Sequence, residues 1–189
     1  MRRVVFMMSV SVDGFMERPD GDISWNLVDD EIHRHFNELV APMGAYLTGR
    51  RTHELMAEVW PTADRDFADT PAMVEYAHIW RDKPKYVFSR TLDHADWSTR
   101  ILHDVVPAEI NALKAEPGGD MVVGGADLAA SFRQLDLIDE YRVYVHPVLI
   151  GRGNPMFPPL DVAHALRLVE TRSFGNGVVL LRYERTRDE

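Results

Sequence analysis

The chain has 189 residues, 46% of them hydrophobic and none of them cysteine. That is enough for one domain whose core needs no disulfide staple, and it leaves no thiolate nucleophile or thiolate metal site. With 30 acidic residues against 21 lysines and arginines, and a formal charge of −9, it lacks the basic face that general nucleic-acid binding requires.

Val4 to Met8 is a continuous apolar run, which predicts a central strand buried on both faces. MRRVVFMMSVSVDGF is a poor signal peptide, because Asp13 arrives early and no small-residue cleavage site follows. No run approaches the roughly 20 apolar residues of a membrane span. The expectation is a single domain over 1–189 in the cytoplasm, with no membrane or nucleic-acid partner. ERPDGDI reads as a turn. From Asp30 the pattern turns helical, with Ile32, Phe36, Leu39 and Val40 as one apolar stripe, Asp29 or Asp30 as its cap, and Pro42 and Gly44 as its end.

A short strand over 45–48 then passes through Gly49 into a helix over 51–58. VWPTADRD reads as loop, and the next helix, over 71–80, starts on Pro71, a residue suited to a first turn. KPKYVFSR predicts a strand over 85–89, and a second short strand is expected over 101–105 after the loop TLDHADWST. A helix over 107–115 closes on EPGGD, and a strand over 121–123 meets Gly124 and Gly125. The helix beyond carries Leu128, Ala129, Phe132 and Leu135 on one face. EYRVYVHPVLIG reads as a strand of about ten residues, in which Pro147 favours an edge or a bulge. GRGNPMFPP is turn-rich, and 166–174 with 178–184 form a hairpin around FGNG. Strands alternate with helices first and follow one another at the end. The predicted fold is three-layer α/β/α, with a mostly parallel mixed sheet and antiparallel strands on its C-terminal side.

Ligands of open α/β sheets bind beyond the C-terminal ends of the strands. Three such junctions carry anion-binding chemistry. At Gly49-Arg50-Arg51-Thr52 a glycine allows close backbone approach, free N–H groups open a helix, and a guanidinium can fork onto phosphate oxygens; a solvated basic turn is the alternative. At Gly124-Gly125 the backbone can carry a diphosphate, or the glycines serve a tight turn. At Ser89-Arg90 a hydroxyl stands beside a guanidinium, suited to a phosphate ester or simply exposed. One extended ligand with several phosphates, such as a dinucleotide, explains all three together. The GxGxxG fingerprint and the phosphate-loop motif are both absent, and Gly151-Arg152-Gly153 reads as a turn.

No Gly-x-Ser-x-Gly elbow is present. His33 and His35, two apart, point to different sides of a helix, so no metal site is expected. Asp30 either caps its helix or faces a cleft, where partial burial would raise its pKa and equip it to deliver a proton. Asp13 either binds a polar substrate group or holds its turn. Trp25, Phe15 and Trp60 are flat enough to face a planar ring and equally suited to packing.

MSVSVDGF, GRRT at 49–52, KYVFSR at 85–90, VVGGADLAASF at 122–132 and DEYRVYVHPVLIGRGNPMF at 139–157, in that order and spacing, resemble the dihydrofolate reductase superfamily. They are most similar to the branch typified by the reductase domain of the bacterial bifunctional riboflavin deaminase-reductase. The resemblance implies a reductase that uses NADPH and is usually dimeric, with the C-terminal strands helping to build the dimer. By match to the motifs, Gly49, Arg50 and Thr52 would contact the cofactor phosphates, with Arg51 replacing or doubling the basic role there. Ser89 and Arg90 would recognise the ribose 2′-phosphate, and Gly124 with Gly125 would hold the diphosphate.

SWNLVDD resembles the segment of true dihydrofolate reductases that bears their substrate-binding carboxylate, which puts Asp30 in that place. Val28 stands where a proline is usual, and DRDFADTPAMVEYAHIW is an extension that a plain folate enzyme lacks. No zinc signature of the deaminase half is present. The implied activity is hydride transfer from NADPH to a C=N bond of a small heterocycle, a pterin or a ribosylaminopyrimidine, as in 5-amino-6-(5-phosphoribosylamino)uracil reduction. Asp30 is the expected proton source and Asp13 the reserve. The alternatives are a non-catalytic dimeric nucleotide-binding protein that keeps the fold, a dihydrofolate reductase, or a flavin or quinone reductase.

Overall fold

A computed structural model describes residues 1–159 and 163–187. β1 (Val4–Ser11) and a short β2 (Phe15–Glu17) precede α1 (Asp30–Val40). β3 (Ala45–Gly49) runs into α2 (Arg50–Val59), followed by α3 (Ala63–Asp66), α4 (Pro71–Asp82) and β4 (Lys85–Phe88). Next come β5 (Thr99–Leu102), α5 (Pro107–Ala115), β6 (Met121–Gly124) and α6 (Ala126–Gln134). β7 (Glu140–His146), β8 (Asn154–Pro155), β9 (Leu166–Ser173) and β10 (Val179–Arg185) end the order.

Eight strands form one sheet in the order β5-β4-β3-β6-β1-β7-β10-β9. The first six are mutually parallel, whereas β10 runs antiparallel to both β7 and β9. β2 and β8 pair separately as a small antiparallel ribbon. Alternation along β1 explains the layers. Phe6 points into the cluster that holds Ile110 and Leu113 of α5 and Leu128, Ala129 and Phe132 of α6. Val5 points the other way, against Val40 of α1, Trp80 of α4 and the Met56–Ala57 side of α2. A strand covered on both faces has to read as a continuous apolar run, and β1 does. The expected three-layer α/β/α arrangement with antiparallel C-terminal strands is the fold observed.

Several local expectations need correction. The segment read as loop at 59–66 contains α3, whose four residues are too few to display a helical period. The strand expected over 101–105 lies at Thr99–Leu102 instead. β1 continues to Ser11, beyond its apolar run. β7 stops at His146 rather than running on for about ten residues. It is an interior strand, flanked by β1 and β10, so the edge position inferred from Pro147 is wrong. The proline lies just past the strand and is never asked to donate to the ladder. No helix among the described residues is long and apolar enough to cross a membrane.

Candidate active site at the strand tips

β3 and β6 are neighbours, yet their helices leave in opposite directions. α2 packs on the Val5 face and α6 on the Phe6 face. The chain beyond β3 goes on to β4, and the chain beyond β6 crosses to β7 on the other side of β1. A crevice therefore opens between β3 and β6 at the C-terminal edge, the switch point at which open α/β sheets take their ligands. The three sequence junctions all end on it. Ser89-Arg90 follows β4, Gly49-Arg50 follows β3 and Gly124-Gly125 follows β6, on three adjacent strands whose ends are level: Gly49 is opposite Phe88, and Thr48 opposite Gly124. At a strand spacing of about 4.8 Å the tips span roughly 10 Å.

The local chemistry fits a phosphate-bearing ligand. Gly49 is the N-cap of α2 and makes no side-chain capping bond, which leaves N–H groups of the first turn free. A Cβ at Gly49 or at Gly124 would meet nothing within 4 Å, so open space lies over both. Thr48 Oγ1 is buried at the end of β3 without a hydrogen-bond partner among the described residues. Gly125 has φ +90°, and a Cβ there would stand 2.8 Å from Thr52 Oγ1. Thr52 and Gly125 thus press the two helix starts together across the crevice.

The basic residues are less uniform than the sequence implied. Arg50 donates to Thr91 Oγ1 at 3.0 Å, bridging the β3 and β4 tips. Arg90 is exposed and its Nε donates to Asp104 at 2.9 Å. Ser89 Oγ accepts from the backbone of Thr91 and Leu92, so its hydroxyl proton remains to be donated. Arg51 is turned to Glu17, 3.3 Å away, a nearly buried carboxylate that Asn154 also contacts at 2.5 Å. Arg51 therefore ties α2 to the β2–β8 ribbon. Nothing in the local sequence signals a pair 34 residues apart.

The two aspartates differ. Asp13 holds a turn: it accepts from Ser11 Oγ at 2.6 Å and from the backbone of Ile150 and Gly151 at 3.3 and 2.7 Å. The Ser11 hydroxyl and those amides hold its carboxyl below the usual range, so it is an anion at neutral pH. Gly151, at φ +79°, and Gly153, where a Cβ would strike Glu17 O, belong to the turn expected there. Asp29, not Asp30, caps α1 by accepting from Ile32 N at 3.0 Å. Asp30 becomes the first helical residue, and its side chain is exposed. The partial burial expected of it is not found, because the first-turn position opposite the apolar stripe faces solvent. The start of α1 nevertheless stands at the same edge of the sheet. Leu27 N donates to His146 Nδ1 at the end of β7, and Asn176 in the β9–β10 turn donates to Leu27 O.

Among the aromatics, Trp25 is buried with its edge on His146, 5.6 Å between centroids. Trp60 packs on Tyr76 at 4.3 Å, and Phe15 pairs with Pro155 in the small ribbon. Among the described residues no group of three or more His, Asp or Glu side chains is placed to hold a metal. A cavity of about 710 Å³ lined by Arg2, Arg3, Glu38, Asp120 and Arg142 lies at the opposite, N-terminal edge of the sheet, away from the crevice.

A family described as the RibD C-terminal domain matches residues 2–180. The Bacillus subtilis protein YyaP is 33% identical over 183 residues, covering 96% of this chain and 94% of the relative. A riboflavin biosynthesis protein from Shewanella sp. PV-4 superposes with a TM-score of 0.75 at 22% identity, over 99% of this chain and all of the other (100%). A Thermotoga maritima diaminohydroxyphosphoribosylaminopyrimidine deaminase/5-amino-6-(5-phosphoribosylamino)uracil reductase superposes with a TM-score of 0.66 at 16% identity, over 98% of this chain and 57% of that longer one. The match spans the sheet from Arg2 to Leu180, through every junction described above. The chain belongs to the RibD C-terminal domain family, within the dihydrofolate reductase superfamily.

Proposed function

We propose that this protein is an NADPH-dependent reductase that transfers hydride to the C=N bond of a pterin or a ribosylaminopyrimidine-like heterocycle. The observation behind this is the convergence of Ser89-Arg90, Gly49-Arg50 and Gly124-Gly125 on adjacent strand tips at the switch point. The order of the tips follows the order of the parts of NADPH. Ser89 and Arg90 would meet the ribose 2′-phosphate, with the phosphate taking the place of Asp104 beside Arg90. Gly49, Arg50, Thr52, Gly124 and Gly125 would hold the diphosphate, and the end of β1 would border the nicotinamide. The uracil reductase activity named for the Thermotoga protein supports the substrate class. When bound, the cofactor supplies the hydride; the chain positions both reactants and delivers the proton. Asp30 is the proposed proton source, directly or through water. Asp13, already an anion engaged by the 150–151 turn, fixes that turn. Arg51 would steady the phosphate site by anchoring the first turn of α2 to Glu17 of the β2–β8 ribbon. Every residue of edge strand β9 is exposed, with Leu166, Leu168 and Val169 among them, and a second copy pairing through this strand would cover it.

Arg90→Ala should weaken NADPH by about 1–3 kcal/mol, roughly 5- to 150-fold, and leave NADH unchanged. Titration of both nucleotides reads this, and an equal loss for both would remove 2′-phosphate recognition from Arg90.

The exposure of Asp30 favours one rival, a dimeric nucleotide-binding protein without catalysis. Asp30→Asn separates the two. A reductase should lose on the order of 10²-fold in kcat with its NADPH affinity kept. Tight NADPH binding by wild type, without cofactor oxidation in the presence of any oxidised pterin or ribosylaminopyrimidine, would establish the rival.

A further inference from the structure

His146 closes β7 and is completely buried (0% exposed). Both ring nitrogens are engaged. The backbone N–H of Leu27 lies 3.0 Å from Nδ1, and an amide can only donate, so Nδ1 holds a lone pair. Burial pushes the imidazole pKa down, and a neutral ring with a bare Nδ1 carries its proton on Nε2. Nε2 is 3.0 Å from Ser9 Oγ. Trp25, edge-on to the ring, packs against this arrangement.

The proton count has a consequence for Ser9. Its oxygen accepts from His146, so its own hydrogen must be donated in another direction. No acceptor for it is found among the described residues. Ser9 is half-buried and lies on the face of β1 shared with Val5 and Met7, the face toward α1 and α2. It is two residues from the C-terminal end of β1, opposite Tyr144 of β7 and past the last β1–β6 pair, Phe6 with Val123. A donor fixed in direction, without an acceptor among the described residues, thus stands at the C-terminal edge of the sheet, on which the crevice opens.

We propose that Ser9 is a ligand-binding hydrogen-bond donor of this site, taking the carbonyl oxygen of an amide or lactam, and that His146 is the positioning residue that sets its direction. This rests on the reductase reading. The carbonyl belongs either to the nicotinamide carboxamide or to the ring of the second substrate, and two titrations distinguish them: NADPH alone, and pterin in the presence of saturating NADP⁺. Ser9→Ala should raise one of the two dissociation constants about tenfold. Ser9→Thr, which keeps the hydroxyl on a strand-compatible side chain, should restore it. His146→Phe should reproduce the Ser9→Ala shift, and nitrogen-15 NMR of the wild type should show the Nε2–H tautomer. A Ser9→Ala protein that binds each probe as tightly as wild type, or a His146 ring protonated on Nδ1, overturns the proposal and leaves the reductase reading intact. A folded wild type that binds neither probe removes the reductase reading, and this assignment with it.

Discussion

Gly125→Ala is expected to lower NADPH affinity by on the order of a hundredfold and to destabilise the fold by about 1–3 kcal/mol. Two independent costs meet at this residue. Its φ of +90° is a conformation that L side chains rarely adopt, and a Cβ would lie 2.8 Å from Thr52 Oγ1. The chain has to move either the β6–α6 turn or the first turn of α2, and both are walls of the proposed phosphate site. Thr52→Ala in the same protein removes the close oxygen and leaves the backbone strain. The double variant should therefore recover part of the melting temperature. Nucleotide titration and thermal unfolding of the single and double variants check this. A Gly125→Ala protein with wild-type affinity would mean that the paired helix starts do not hold the nucleotide.

Glu140→Ala should cost about 3–5 kcal/mol of stability, the largest effect expected outside the crevice. Glu140 is wholly buried at the start of β7. It accepts from Arg3 Nη1 at 2.8 Å, from Arg142 Nε at 2.5 Å, and from Arg182 Nε and Nη2 at 2.8 and 3.1 Å. The carboxylate therefore links β7 and β10 to the residue that leads into β1, where the parallel sheet gives way to the antiparallel hairpin. Removing it leaves the buried guanidinium of Arg142 without its carboxylate and the partly exposed Arg3 and Arg182 without their shared partner. Burial pushes the Glu140 carboxyl up, but the hydrogen bonds and charges of Arg182 and Arg142 outweigh it and hold the folded-state pKa below the ordinary value. A carboxyl depressed on folding stabilises above its unfolded pKa, roughly 4.3, and loses that contribution as pH falls through the folded value. The stability gap between wild type and Glu140→Gln should accordingly be full at neutral pH and narrow below about pH 4. Denaturant unfolding at several pH values measures it. A gap independent of pH would show that the carboxylate charge is not what matters.

Local signals in the sequence carried the elements well wherever a residue has one physical use. Pro71 and Pro107 do start α4 and α5, and the apolar run Val4 to Met8 is part of a strand covered on both faces. Each glycine-bearing junction was legible one at a time. Their convergence on one extended ligand was expected from the chemistry they share, but the strand order β4-β3-β6-β1 that sets them side by side was not legible, because it comes from contacts between segments far apart in the chain. The same separation hid the partners. Arg51 finds Glu17, Asp13 finds the amides of 150 and 151, and His146 finds Ser9 across 137 positions. A basic residue beside a glycine looks free in sequence even when a distant carboxylate has claimed it. Asp30 misled for a related reason: either of two adjacent aspartates can cap a helix, and only the geometry shows that Asp29 does so and leaves Asp30 in solvent.

Calorimetric titration of the wild-type protein with NADPH and with NADH tests whether the tips of β4, β3 and β6 receive one nucleotide. Saturable binding of one NADPH per chain, tighter than NADH, is the predicted result. A folded sample that takes up no NADPH at millimolar concentration would contradict it.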